Sequence, residues 1–498
     1  MKALRSPGVG LVIVLVGATL AALSWRPEAG LGMALAITFA AFVVHREINF
    51  GQAIAALFFL LVLVPELAAA PPVIPLGGAS IYVPHILIVL LLPFVDWSIL
   101  QPWAKRAVGA FALISIWMAL WGILLGAPIN GVLQDVRGPL TYVGGVIAAL
   151  VLVKGKGVSG LLRLVPPILG LSLLLIGFQL ATGAQILGGR VRGATVFNGR
   201  GASARAIDAT RFIISSEDLA VVALLVVGWW LTQSRISRPR QQTLVLVAAL
   251  GAMVIVLSLS RQLLVGLAVG TVSWVLSRRG AAQLVRIGIA AIPFLLVGAV
   301  GLGVLTAFGQ GFGSDGLVGR QLGGFTERVL GGLTSEGISQ DAGTAWRQRE
   351  NMFALQLIGE QPLGTGFGRP YRPEFAIEAF GDPTFFRRWV HNVYLWYGTK
   401  GGYLGFVAVG LVTFVPLVAA IRRARGAAEG SDPVAEVAVP VLFALGVMSL
   451  VDPVIINANS GVITAAVMVL LGLRDRPVLP GSTAAKSPVR REARVSAR

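Results

Sequence analysis

Ala107-Val-Gly-Ala-Phe-Ala-Leu-Ile-Ser-Ile-Trp-Met-Ala-Leu-Trp-Gly-Ile-Leu-Leu-Gly126 runs for twenty residues without a charge. A helix of that length is about 30 Å long, the thickness of the hydrocarbon core of a bilayer. Further long apolar runs lie at Leu57–Ala70, Leu161–Leu180 and Ala290–Phe308, the first two with one charge each. The chain is 55% hydrophobic and 13% charged, with a mean hydropathy of +0.80, where a soluble domain carries about 25% charged residues. The first apolar run, Val9–Leu23, lacks a small-residue cleavage site and leads straight into another, so it reads as a first span and not as a signal peptide. The pattern predicts an all-α polytopic membrane protein: fourteen spans, or twelve with two re-entrant or interfacial pieces.

Charge sets the expected orientation. Alternating the gaps between the two faces puts Lys2, Arg5, Arg46, Lys105, Arg106, Lys154, Lys156, Arg163, Arg235, Arg278, Arg422, Arg423, Arg425 and the tail from Arg474 on one side. By the positive-inside rule that side is cytoplasmic, and both termini lie there. The expected organisation is a helix bundle over 1–308 with a basic outer loop at 183–216. A large, partly helical outer loop follows at 309–390, then C-terminal helices over 391–473. A basic tail at 474–498 is expected to have no fold of its own. The net charge of +18 is spread over many loops and collected on no one domain, which argues against a nucleic-acid partner. With no cysteine, disulfides, thiolate metal sites and cysteine nucleophiles are excluded. There is no HExxH, no histidine cluster, and no Asp-x-Asp in the outer loop, so neither a metal nor another cofactor is expected.

The outer face should be poor in arginine, yet three outer segments are rich in it. Only six of the 41 basic residues are lysine, and arginine is the side chain that grips anions bidentately. Arg261 stands alone at a hairpin apex beside Ser258, with no other charge between Arg240 and Arg278. An ionisable group so near hydrocarbon is either snorkelling or functional. Arg347 falls in an amphipathic segment, 342–358, where Thr344 is a candidate N-cap and Arg347, Glu350 and Asn351 share a face at i, i+3 and i+4 spacing. The bland alternative there is a local Arg347–Glu350 ion pair. Gly364-Thr-Gly-Phe-Gly368 could cradle a phosphate, but no strand precedes it and Pro370 and Pro373 follow. A tight turn leading back toward His391 is the better reading. His391 closes the outer loop, followed by Asn392 and by Tyr394, Trp396 and Tyr397, an aromatic belt of the kind that marks a membrane interface. Imidazoles titrate near neutrality and serve as general bases. His45 and His85 read as structural.

Three pieces together resemble the O-antigen ligase and polymerase superfamily of bacterial envelope glycosyltransferases. They are Ser258-Leu-Ser-Arg-Gln-Leu-Leu264, the block from Trp346-Arg-Gln-Arg-Glu350 to Gly368, and His391-Asn-Val-Tyr-Leu395 with Gly401-Gly-Tyr-Leu-Gly405. The resemblance spans roughly 243–410. It implies a GT-C-like bundle with one large periplasmic loop in the bacterial inner membrane, its active site facing the periplasm. It implies a metal-independent, inverting transfer of a glycan from undecaprenyl pyrophosphate to an acceptor hydroxyl of a glycan or a lipid A core. By the same resemblance Arg261 and Arg347 would contact the pyrophosphate and His391 would activate the acceptor. Ser258, Glu350, Asn351, Asn392 and Tyr394 are supporting candidates. Lys400 stands where the family more often has an acidic residue. Ligase and polymerase differ only in the acceptor, which the residues do not identify. From another class, a flippase or exporter of anionic glycolipid would also use outer arginines, but it predicts charge along the spans, and the spans before 243 carry little between their ends.

Overall fold

The computed structural model describes residues 49–64, 74–76, 79–154, 157–182, 195–197, 206–208, 215–231, 238–277, 291–292, 297–298, 319, 323–333, 342–371, 389–426, 432–451 and 460–474. The expected spans near 9–24 and 30–44, almost all of the apolar run at 287–308, the tail beyond Arg474 and most of the loops 183–216 and 309–341 lie outside the described residues.

The helices are α1 (Phe50–Leu63), α2 (Val83–Leu91), α3 (Pro102–Leu124), α4 (Ile129–Val153), α5 (Val158–Leu162), α6 (Val165–Thr182), α7 (Glu217–Leu231), α8 (Arg238–Ser258), α9 (Arg261–Ser277), α10 (Ala342–Glu360), α11 (Val393–Gly426), α12 (Pro433–Met448) and α13 (Gly461–Gly472). Two antiparallel hairpins of three-residue strands, Ile74–Leu76 with Ala79–Ile81 and Thr195–Phe197 with Ala206–Asp208, decorate the bundle. They are small additions to the expected all-α class. Among the described residues five helices are long and apolar enough to cross a membrane, and five shorter apolar helices accompany them. The chain is a multi-pass membrane protein.

Helix α3 illustrates why. Its inner face, Ala104, Ala107, Val108, Phe111, Ser115, Met118 and Gly122, is buried at the three-to-four spacing of a helix. The opposite stripe, Leu113, Ile116, Leu120 and Leu124, is equally apolar and exposed. A helix apolar all round is stable only in a core or in lipid. Close packing inside the bundle uses small residues, as it does between helices in membranes. Gly266 of α9 lies against Met448 of α12, and Gly270, one turn on, against the Pro440 carbonyl.

One end of the bundle is tied together by polar contacts among helix termini. Asn49 and Gln52 form a capping box on α1, and Gln52 Nε2 donates to the Lys154 carbonyl at 3.0 Å. Gln101 Nε2 donates to the Leu473 carbonyl at 3.1 Å. Arg423 grips Asp432, the N-cap of α12, with two bonds of 2.9 and 3.0 Å, and donates a third to the Leu471 carbonyl. Lys154, Arg423 and Arg474, which the charge pattern assigned to one face, therefore meet at one end. The helix ends that carry the candidate site lie at the other.

Candidate functional site

The site is built on two helices that run side by side. The first is α10, which begins at Ala342, so Thr344 lies inside it and does not cap it. The second is the opening segment of α11. Asn392 caps it: its Oδ1 accepts from the backbone of Tyr394 at 3.0 Å and Leu395 at 3.3 Å. The Val393 N–H donates to the Ser449 carbonyl at the end of α12. This segment stops at Gly402, where φ is 56° and the helix kinks. Only glycine fits there, because a Cβ would lie 1.7 Å from the Pro362 carbonyl oxygen. Beyond the kink α11 folds back so closely that a Cβ at Gly405 would meet the Tyr397 carbonyl at 1.8 Å. The expected single span from 392 is thus a half-helix followed by a full one. The aromatic belt is corrected as well. Trp396 and Tyr397 are 2% and 0% exposed and pack into the core, because the half-helix is tucked beneath α10.

At the start of the half-helix His391 faces α10. Its Nδ1 lies 2.7 Å from Oε2 of Glu350. The second carboxylate oxygen accepts from Trp346 Nε1 at 2.8 Å. Glu350 is 1% exposed, whereas the His391 side chain is 25% exposed. A Nδ1–H donating to the carboxylate leaves Nε2 as the open nitrogen. Arg347 stands one turn before Glu350 on the same face of α10, and its Nε is buried with no acceptor in reach among the described residues. The local Arg347–Glu350 ion pair anticipated as the bland reading gives way to the Glu350–His391 pair.

Arg261 opens α9 immediately after Leu259 and Ser260. The Leu259 φ of +50° is the one left-handed non-glycine conformation among the described residues and is strained for a leucine. Arg261 Nη1 donates to the Gly332 carbonyl at 3.3 Å. Arg261 shares the end of α12 with His391, since Gly266 packs on Met448 and the next residue, Ser449, accepts from Val393. Two of the remaining candidates bond to backbone carbonyls. Ser258 returns its hydroxyl to the Ile255 carbonyl at 2.9 Å, and Tyr394 Oη donates to the Gly446 carbonyl at 3.1 Å. Asn351 is partly exposed on α10.

The Gly364–Gly368 loop is a docked turn. Four successive N–H groups are already used: Thr365 to Thr399, Gly366 to Lys400, Phe367 to Met118, and Gly368 to Asp135 Oδ2 at 2.6 Å. Two of those acceptors, the Thr399 and Lys400 carbonyls, lie just before the kink, where the helical bonding pattern breaks. With these amides taken, the loop is not free to cradle a phosphate. Its anchor is an ion pair that sequence reasoning missed: Lys400 Nζ lies 3.3 Å from Asp135 and 2.6 Å from the Arg369 carbonyl, with both side chains buried. The available signal was a lysine and an aspartate near the ends of apolar runs, each in need of a partner.

Protein-family models and curated protein sequences give no match to this chain. Among the described residues no three histidine or carboxylate side chains are grouped as a metal site would require. An apolar recess lined by Phe59, Leu63, Ile168, Trp230, Val441 and Leu470 contains none of the candidate residues.

Proposed function

We propose that the protein is an inverting, metal-independent glycosyltransferase of the O-antigen ligase type. It would move a glycan from undecaprenyl pyrophosphate to an acceptor hydroxyl at the outer face of the bacterial inner membrane. The observation that carries this reading is the His391–Glu350 pair at 2.7 Å beside the half-buried Arg347. A carboxylate on Nδ1 orients the ring and favours the charge it gains on taking a proton. The acceptor hydroxyl attacks the anomeric carbon, its proton passes to His391 Nε2, and the bond to the pyrophosphate oxygen breaks. The leaving diphosphate carries away the electron pair, and Arg347 and Arg261 neutralise the charge that develops on it. A single displacement inverts the anomeric carbon.

Nuclear magnetic resonance of the product tests the stereochemistry, with purified protein in liposomes supplied with lipid-linked glycan and either a lipid A core or a second lipid-linked glycan. Inversion is expected, and the acceptor that is consumed distinguishes ligase from polymerase. Retention would contradict direct displacement. Movement of intact glycolipid across the bilayer without a new glycosidic bond would favour an exporter.

A further inference from the structure

We propose that Asp135 and Lys400 are positioning residues that set the separation of His391 and Glu350 from the far ends of the two helices bearing them. The inference rests on the catalytic reading of that pair. The helices run in the same direction. Glu350 meets His391 at one end, Ile358 packs on Gly398 further along, and the Pro362 carbonyl accepts from the Tyr403 N–H at 3.1 Å beyond the other end. There the turn leaving α10 and the last turn of the half-helix are clasped together. Asp135 holds the Gly368 N–H, while Lys400 holds both Asp135 and the Arg369 carbonyl.

The clasp is a lever. His391 and Lys400 are separated by about 13 Å of helix, so a tilt of about 4° at the clasp moves the imidazole by about 1 Å. A displacement of that size in a reacting group costs about a hundredfold in rate. The chemistry of the clasp fits positioning better than stabilisation. Taking a lysine and an aspartate out of water costs about as much as their attraction returns, so such a pair contributes geometry more than free energy. It also explains the kink, since the carbonyls released before Gly402 are the ones that receive the glycine loop.

The test compares wild type, the Asp135→Asn/Lys400→Met double variant and Glu350→Gln in nanodiscs. Asparagine at position 135 keeps an acceptor for the Gly368 N–H, and methionine at position 400 fills the lysine's volume. The double variant should therefore keep the wild-type melting temperature; Asp135→Asn/Lys400→Leu, which also removes both charges together, serves if it does not. The non-catalytic readout is carbethoxylation of His391 by diethyl pyrocarbonate, followed by mass spectrometry across pH. We expect the double variant's His391 profile to coincide with that of Glu350→Gln, and glycan transfer to show kcat about a hundredfold lower with the acceptor KM unchanged. A folded variant whose His391 reacts as in wild type would overturn the proposal, as would a shifted profile with undiminished turnover. If the profile shifts but the wild-type protein transfers no glycan to any acceptor, the clasp stands and the glycosyltransferase reading fails.

Discussion

His391 has one ring nitrogen engaged by Glu350 and the rest of its side chain reaching a quarter-exposed surface, the arrangement a general base needs. Glu350 bonds His391 through one oxygen and Trp346 through the other. Glu350→Gln should therefore leave the protein folded, because glutamine can still accept from the indole. It should lower kcat about a hundredfold, within the range that general-base assistance contributes; initial rates with saturating acceptor check this. At this scale the sequence was partly legible. The alignment of Arg347 with Glu350 on one helical face follows from spacing alone. That Glu350 turns to His391 does not, because the two belong to different elements joined by a long outer loop. A carboxylate between an arginine on its own helix and a histidine on another is decided by packing, and packing here follows the kink at Gly402.

At the scale of elements, the site depends on a broken helix and a docked turn. Gly364, Gly366 and Gly368 all have positive φ, between 73° and 83°. A Cβ at Gly366 would lie 2.2 Å from the Gly122 nitrogen of α3. Gly366→Ala is therefore opposed by backbone conformation and by backbone contact together. It should destabilise the protein by more than about 1 kcal/mol, seen as a lower melting temperature in detergent, with Gly359→Ala as a control because open space surrounds that glycine. The glycine spacing did announce a turn, and the prolines after it correctly spoke against a nucleotide-binding loop. The half-helix was illegible because the segment from 392 to 421 read as one apolar run. Hydropathy cannot distinguish a span from a helix that enters, turns on a glycine and leaves. Only the Gly401-Gly402 pair marked the break.

At the scale of the whole molecule, hydropathy determined the class and charge determined the expected facing, since neither needs tertiary detail. Span number is less legible. Helix α2 covers only Val83–Leu91 before a short 3-10 turn, too short to cross about 30 Å of hydrocarbon. The orientation is directly measurable because the chain contains no cysteine. Leu363 and Arg425 are both exposed and lie at opposite ends of the bundle. The single variants Leu363→Cys and Arg425→Cys should react differently in intact spheroplasts with a membrane-impermeant maleimide. The thiol at position 363 should be labelled at once, and the thiol at position 425 only after lysis. The reverse pattern would place the site on the cytoplasmic side, away from an outward-facing pool of lipid-linked glycan. The most direct test of the central claim is glycan transfer by His391→Ala in reconstituted membranes supplied with lipid-linked donor and acceptor. Loss of about two to four orders of magnitude in kcat with the fold intact is predicted; transfer at the wild-type rate would contradict the role given to this residue and the chemistry built on it.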